Sequence, residues 1–226
     1  MYTMIVDMNK LNTVDYSKER LVTVISARHV IPTTGRTDLA IERARAYCGI
    51  MARCGARSRL GKVYAGAGAG QLRIYGGYDN FTHASQVAAK ILADPAALKI
   101  MQERELNPAG DIVGPLVARR IYGTPSTEYS IALQREWQMP RANIAEAVGM
   151  MPDIEAMGKE MDVKLTSVAP VIADGLDRIM VSYWFKSMEA LGNGIDNVGM
   201  SEEYQAAVMK ASELGTLLRS RIVVMI

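Results

Sequence analysis

His29 and Arg28 stand side by side late in a run of β-branched residues, and Arg135 and Glu136 occupy a similar place further along the chain. An imidazole with an ordinary pKa of ~6.5 suits proton transfer near neutrality, and a guanidinium suits a carboxylate or an enolate. Neighbouring side chains in a strand point to opposite faces, so one member of each pair faces inward. This makes Arg28 and Arg135 candidate ligand anchors and His29 a candidate general base. The same residues also fit a charged strand end in water, or an internal ion pair between Arg28 and Glu136. Tyr64, Tyr75 and Tyr78 fall on adjacent expected strands, with Trp184 near a matching strand end. Aromatic side chains in such places line a pocket for a flat organic ligand or pack a barrel.

Other conspicuous residues carry less chemistry. Gly66-Ala67-Gly68-Ala69-Gly70 resembles a phosphate loop in composition, but that loop must lead into a helix whose N–H groups meet the anion. Here a strand follows, so the stretch reads as a hairpin connection. The two cysteines, Cys48 and Cys54, fall on one expected helix at a spacing that does not bring their sulfurs together, and they read as free thiols. The fifteen methionines have no His or Cys cluster beside them, and those around Met150, Met151, Met157 and Met161 read as core fillers. Nothing calls for a resident metal or cofactor.

The elements that would hold these residues repeat. Hydrophobic periodicity and turn residues predict a strand over 21–31, a helix over 38–54, strands over 59–66 and 72–78, a broken helix over 81–106 and a strand over 115–122. The second half predicts the same order over 129–138, 142–161, 163–172, 178–185, 188–214 and 216–225. Gly70, Arg73, Ile74 and Tyr78 line up at one spacing with Gly175, Arg178, Ile179 and Tyr183, and Arg120 lines up with Arg221. Thr37 or Asp38 is expected to cap the first helix, and Asp94-Pro95 and Ser201-Glu202-Glu203 to start later ones. Pro152 should break the helix it interrupts. The expected fold is α+β: an N-terminal extension over 1–19, then two ferredoxin-like β-α-β-β-α-β repeats over 20–123 and 124–226. Each repeat leaves one sheet face uncovered, and closure of the two sheets into a barrel covers both.

With this element order and the helix start Ala93-Asp94-Pro95-Ala96-Ala97-Leu98, the chain resembles the dimeric α/β-barrel superfamily in fused form. That group includes antibiotic-biosynthesis monooxygenases, NIPSNAP-like and stress-responsive barrels, and haem-degrading proteins. The resemblance implies the fold, and a cavity able to take a small molecule. His83 resembles the haem-ligand position of some members. No Asn–Trp pair accompanies it, since Trp137 and Trp184 lie in the other half, so no haem is expected.

Composition bounds the remaining choices. A 49% hydrophobic and 22% charged chain is that of a folded globular protein. No apolar run is long enough for a membrane helix, and the first residues carry no basic segment followed by an apolar stretch. A cytoplasmic protein without membrane or nucleic-acid partners is expected. Positive charge dominates residues 1–123 and negative charge 124–226. Arg43, Arg45, Arg53, Arg57 and Arg59 face, in sequence, Glu146, Asp153, Glu155, Glu160 and Asp162, which suggests a head-to-tail homo-oligomer. The expected function is small-molecule binding in a barrel cavity of a few hundred Å3, with cofactor-free oxygenation or isomerisation as the chemistry. The competing expectation is a non-enzymatic oligomer with a filled barrel.

Overall fold

Alternation along the strands separates an outer face, which the helices cover, from an inner face that closes on itself. The computed structural model describes residues 22–226, so the expected extension over 1–19 lies outside the described residues. The first half runs β1 (Val24–Pro32), α1 (Thr37–Arg53), β2 (Arg57–Gly66), β3 (Leu72–Tyr78), α2 (Phe81–Ala93), α3 (Pro95–Leu106) and β4 (Gly110–Tyr122). The second runs β5 (Ile131–Gln138), α4 (Ile144–Gly149), α5 (Met151–Met157), β6 (Lys164–Ile172), β7 (Arg178–Phe185), α6 (Met188–Gly194), a π turn, α7 (Glu202–Leu214) and β8 (Thr216–Met225).

All strand pairs are antiparallel, and the sheet closes in the order β1-β3-β2-β8-β5-β7-β6-β4 and back to β1. Within it β4-β1-β3-β2 and β8-β5-β7-β6 follow one pattern, joined through β2–β8 and β4–β6. Closure pairs strand edges that two open sheets would have exposed. The expected barrel is present.

Outward residues build helix-covered cores in both halves. Val24, Leu60, Leu72 and Ile74 pack with Ala40, Ile50, Met51 and Val87 in the first half. Trp137, Leu165, Ile179 and Val181 pack with Ala147 and Met151 in the second. Each Val, Leu, Ile or Met side chain among them contributes ~1.5–3 kcal/mol when taken out of water. Inside the barrel Val63, Ala132 and Val223 form a small apolar layer.

The helix ends follow the sequence in most places. Asp94 accepts from the N–H groups of Ala96 and Ala97, with Pro95 opening α3, and Ser201 accepts from the N–H of Tyr204. The chain breaks between α4 and α5 at Pro152. At α1 the expectation is corrected. The cap residue is Arg36, whose guanidinium has only donors and cannot accept a helix N–H; it donates instead to the carbonyl of Pro108 and the side chain of Asn107. β4 also begins earlier than expected. Pro115 falls at a bulge opposite β1, where the ladder does not call on its absent N–H.

The sequence matches between the halves are out of register. Arg28 lies opposite Ile74, and Arg135 opposite Val181. The cap pairs Asn80/Ser187 and Asp94/Ser201 keep the spacing of Arg28/Arg135. The pairs Arg73/Arg178 and Tyr78/Tyr183 are two positions short of it.

Gly123 ends β4 with φ +65, and a Cβ there would lie 1.9 Å from the carbonyl oxygen of Leu165. The atoms it would meet, of Leu165 and Thr166, are backbone and cannot step aside. Gly123→Ala is expected to destabilise by at least ~2 kcal/mol. Urea unfolding checks this, and a change within error of zero contradicts it.

Candidate functional site

Arg135 shares its face of β5 with Trp137, so it points towards the helices and not into the barrel. Beside it on β7, Ile179, Val181 and Tyr183 face the same way. Across from them α4 presents Ala147 and α7 presents Ala207 and Ala211, whose short side chains leave a slot of about 40 Å3. At ~10–15 Å3 per water centre, that is room for a few waters. Its other walls include Met139, Met150, Met151, Ile154 and Tyr204. Broken, short α4 and α5 cover this sheet where the unbroken α1 covers the first half. There the fully buried Met51 fills the space against the sheet.

The slot is apolar apart from one cluster. Arg135 Nη1 donates to the hydroxyl of Tyr204 at 2.7 Å. Its guanidinium lies 5.6 Å from the ring centre of Tyr183 and 5.7 Å from that of Tyr204. The two rings meet edge to face at 6.3 Å. Arg135 Nε is buried with no acceptor among the described residues. Burial, then the neighbouring Tyr204, raises the Tyr183 hydroxyl far above the ordinary phenol value, and Arg135 opposes the shift. Tyr183 therefore keeps its proton. Among the described residues no carboxylate or imidazole lines the slot.

The remaining sequence candidates are scattered. Arg28 faces the helices of the first half, 5.1 Å above the ring of Tyr47, and forms no pair with Glu136. Glu136 instead binds Arg178 at 2.8 Å and Arg221 at 3.1 Å. The expectation of an Arg28–Glu136 pair is thus corrected: the two occupy opposite faces of the sheet. Tyr64 is 66% exposed. Tyr78 is buried under the helices and lies 3.2 Å from Ser26 Oγ. Tyr75 and Trp184 do face the barrel interior. Tyr75 bonds Gln134 across it, and Trp184 Nε1 donates to Thr166 with Arg59 over its ring. Of the named residues only Arg135 lines the slot. Tyr183, Tyr204 and Trp137 were not among the site residues expected from sequence.

His83 does not fit a haem-ligand role. Its Nδ1 accepts the N–H of Asp79, its ring meets Tyr78 edge-on, and its Nε2 lies against Gly55. Cys48 and Cys54 are free, and burial pushes the Cys48 thiol up to about 11. Several charges expected to bridge subunits are spent within the chain. Arg43 bonds the carbonyls of Asn107 and Glu103, Arg53 pairs with Asp94, and Glu155 bonds Tyr122 and Leu165.

His29 faces the barrel interior, opposite Arg73. Burial, then Arg73 and Arg221, push it down to about 4, with Glu136 opposing. The folded chain therefore keeps it neutral where an unfolded chain, with a pKa of ~6.5, takes a proton. Stability is complete above ~6.5 and falls as pH drops from there towards 4. The loss is on the order of 2 kcal/mol after allowance for its partial exposure. His29→Gln cannot titrate and should flatten this slope. Urea midpoints between about pH 5 and 7 check it, and an unchanged slope contradicts it.

A larger recess of about 390 Å3 lies between Arg45, Cys48, Ser58, Arg59, Leu60, Met225 and Ile226. It is open to solvent. Ser58 and Arg59 are already committed there, to the carbonyls of Cys48, Ser126 and Tyr129. The slot at Arg135 is less open and is the better-formed site.

No protein-family model and no curated protein matches the sequence. Solved structures match in fold. A Fusobacterium nucleatum subsp. nucleatum ATCC 25586 protein described as a "putative monooxygenase" aligns with a TM-score of 0.63 at 8% identity, over 91% of this chain and 94% of that one. An anthrone oxidase-like protein gives 0.61 at 10% identity, over 91% and 92%. A mutant chlorite dismutase from Candidatus Nitrospira defluvii gives 0.54 at 12% identity, over 92% and 94%. These structures belong to the dimeric α/β-barrel superfamily, and the likeness is one of fold. No helix among the described residues is long and apolar enough to cross a membrane.

Proposed function

We propose that the chain is a small-molecule-binding α/β-barrel protein whose site is the slot at Arg135. One observation carries the reading: a guanidinium with an unmatched Nε stands in an apolar, aromatic cleft. Such a cleft suits a flat, mostly apolar compound with one acidic oxygen, a phenol or an enolisable ketone. Met139, Met150 and Met151 are the walls that yield, because unbranched thioether chains repack at little cost. The oxygen takes the place beside Arg135 Nε, with Tyr204 as a second donor.

With no base in the slot, the ligand's acidity is its own, and the chain lowers the energy of its anion by charge-assisted hydrogen bonds. For a ketone such as anthrone, the enolate formed in this way is the species that reacts with O2. One oxygen atom becomes a new carbonyl at the former CH2 carbon, and the other leaves as water with both hydrogens. This cofactor-free oxygenation is supported by the names the fold neighbours carry. Isomerisation of an enolisable compound would draw on the same anion stabilisation.

The repeated strand order and the common cap spacing support a further part of the reading, that the chain is a fused duplication of one ferredoxin-like unit. The second functional reading is a non-enzymatic homo-oligomer. It is favoured by the exposed Ile31, Ile112, Val113, Ile172, Leu176 and Leu217, which gather at the barrel end carrying both hairpins.

Anthrone titrated into the protein, with Trp137 fluorescence and O2 uptake followed together, separates the two. Saturable quenching that Ala207→Phe removes by filling the slot supports the first reading. No saturable binding, with a stable oligomer by light scattering, supports the second and overturns the first.

A further inference from the structure

Glu136 and His29 occupy corresponding places on β5 and β1, and both face the barrel interior. In the second half the carboxylate of Glu136 holds two arginines, Arg178 and Arg221. In the first half an uncharged imidazole stands in its place. Arg73, directly across from His29 on β3, is 4% exposed and, among the described residues, has one hydrogen-bond partner, Gln71 Oε1 at 3.1 Å from Nη2. Its Nε and Nη1 are buried with no acceptor among the described residues, and so is the Nε of Arg221, which is itself 4% exposed. Three arginines thus meet one carboxylate at this end of the interior, and the exposed Arg219 adds a fourth positive charge at its rim. A buried cation without a counter-ion is among the most unfavourable arrangements in a folded protein.

We propose that the hairpin end of the barrel interior is an anion-binding site, in which a small oxyanion accepts from Arg73 Nε and Nη1 beside Arg221. The ligand is inorganic phosphate or a short carboxylate, because such an oxyanion brings the charge and the acceptor oxygens that two neighbouring guanidinium groups lack. Access is from the β2–β3 hairpin. Gly68 closes over Arg73 so tightly that a Cβ there would lie 3.2 Å from Nη2 and 2.7 Å from Gln71 Oε1. Gln71 is the side chain that gives way. Burial, then Arg221, hold Arg73 down at about 10, still fully charged at neutral pH. The site lies on the other face of the sheet from Arg135, and it stands or falls independently of the slot.

The test uses the full chain, dialysed into chloride buffer. Urea midpoints are measured against rising phosphate, and separately against acetate, with chloride adjusted to constant ionic strength. The wild-type midpoint should rise and saturate with at least one of the two anions, and the responding anion names the ligand class. Arg73→Gln should weaken that apparent affinity at least tenfold. His29→Glu supplies a carboxylate within the chain, so it should raise the midpoint in chloride and abolish the anion response. The proposal is overturned by a wild-type midpoint insensitive to both anions, or by an equal response in wild type and Arg73→Gln. If Arg73→Gln does not fold, an anion response in His29→Glu equal to that of wild type overturns it as well.

Discussion

Arg135→Met is expected to weaken binding of anthrone, or of a naphthol probe, by about 10- to 100-fold. A hydrogen bond to a charged group contributes ~1.5–3 kcal/mol, and the ligand's oxygen has no other cation within reach in the slot. Met preserves most of the apolar volume, and the hydroxyl of Tyr204 loses only one partner, so the fold should persist. Arg135→Lys keeps the charge but loses the planar contact with Tyr183 and Tyr204, and should fall between the two. Quenching of Trp137 reads the affinity directly. Wild-type affinity in Arg135→Met would mean that the ligand oxygen lies elsewhere.

Glu136→Gln should be the most destabilising single change in the barrel interior, at about 3 kcal/mol. The Glu136 side chain is 12% exposed and bonds two guanidinium groups, one of them 3% exposed. Gln keeps the shape and removes the charge, leaving Arg221 buried without a counter-ion. Arg178 is about a third exposed and is partly screened, so most of the loss comes through Arg221. Urea unfolding at neutral pH measures it. A loss below ~1 kcal/mol would mean that another anion neutralises the arginines, or that water reaches them more freely than their burial indicates.

The closed barrel was legible in the sequence because its information is local. β-branched runs, Asp94-Pro95, Ser201 and Pro152 each act on their own backbone, and their order alone gives the element order. The face on which each charged residue would fall was also legible, but only by its company. Arg135 alternates with Ile131, Leu133 and Trp137, and Arg28 with Val24 and Val30, all of which the helices cover. Reading each arginine with its apolar strand-mates, and not with its neighbour in sequence, places both outside the barrel. Tyr183 could have been found in the same way, since it alternates with Ile179, Val181 and Phe185.

Other features were not legible because they depend on contacts distant in sequence. Nothing local brings Tyr204 on α7 to Arg135 on β5, or Arg221 on β8 to Glu136. The matches Arg73/Arg178 and Tyr78/Tyr183 differ by two positions from the spacing of Arg28/Arg135, whose places opposite Ile74 and Val181 are set by cross-strand pairing. The expected cavity of a few hundred Å3 also differs from the slot found. Its size depends on how the methionines and alanines of α4, α5 and α7 pack together, which no single segment determines.

The central claim is that the slot at Arg135 is where the ligand binds, and the methionines test it most directly. With methyl-13C-labelled methionine, anthrone should shift the resonances of Met139, Met150 and Met151 together along one saturating curve. Met180 and Met225, which face the barrel interior, should stay in place. Shifts confined to Met180 and Met225, or no saturating shift at the three slot methionines, would contradict the account.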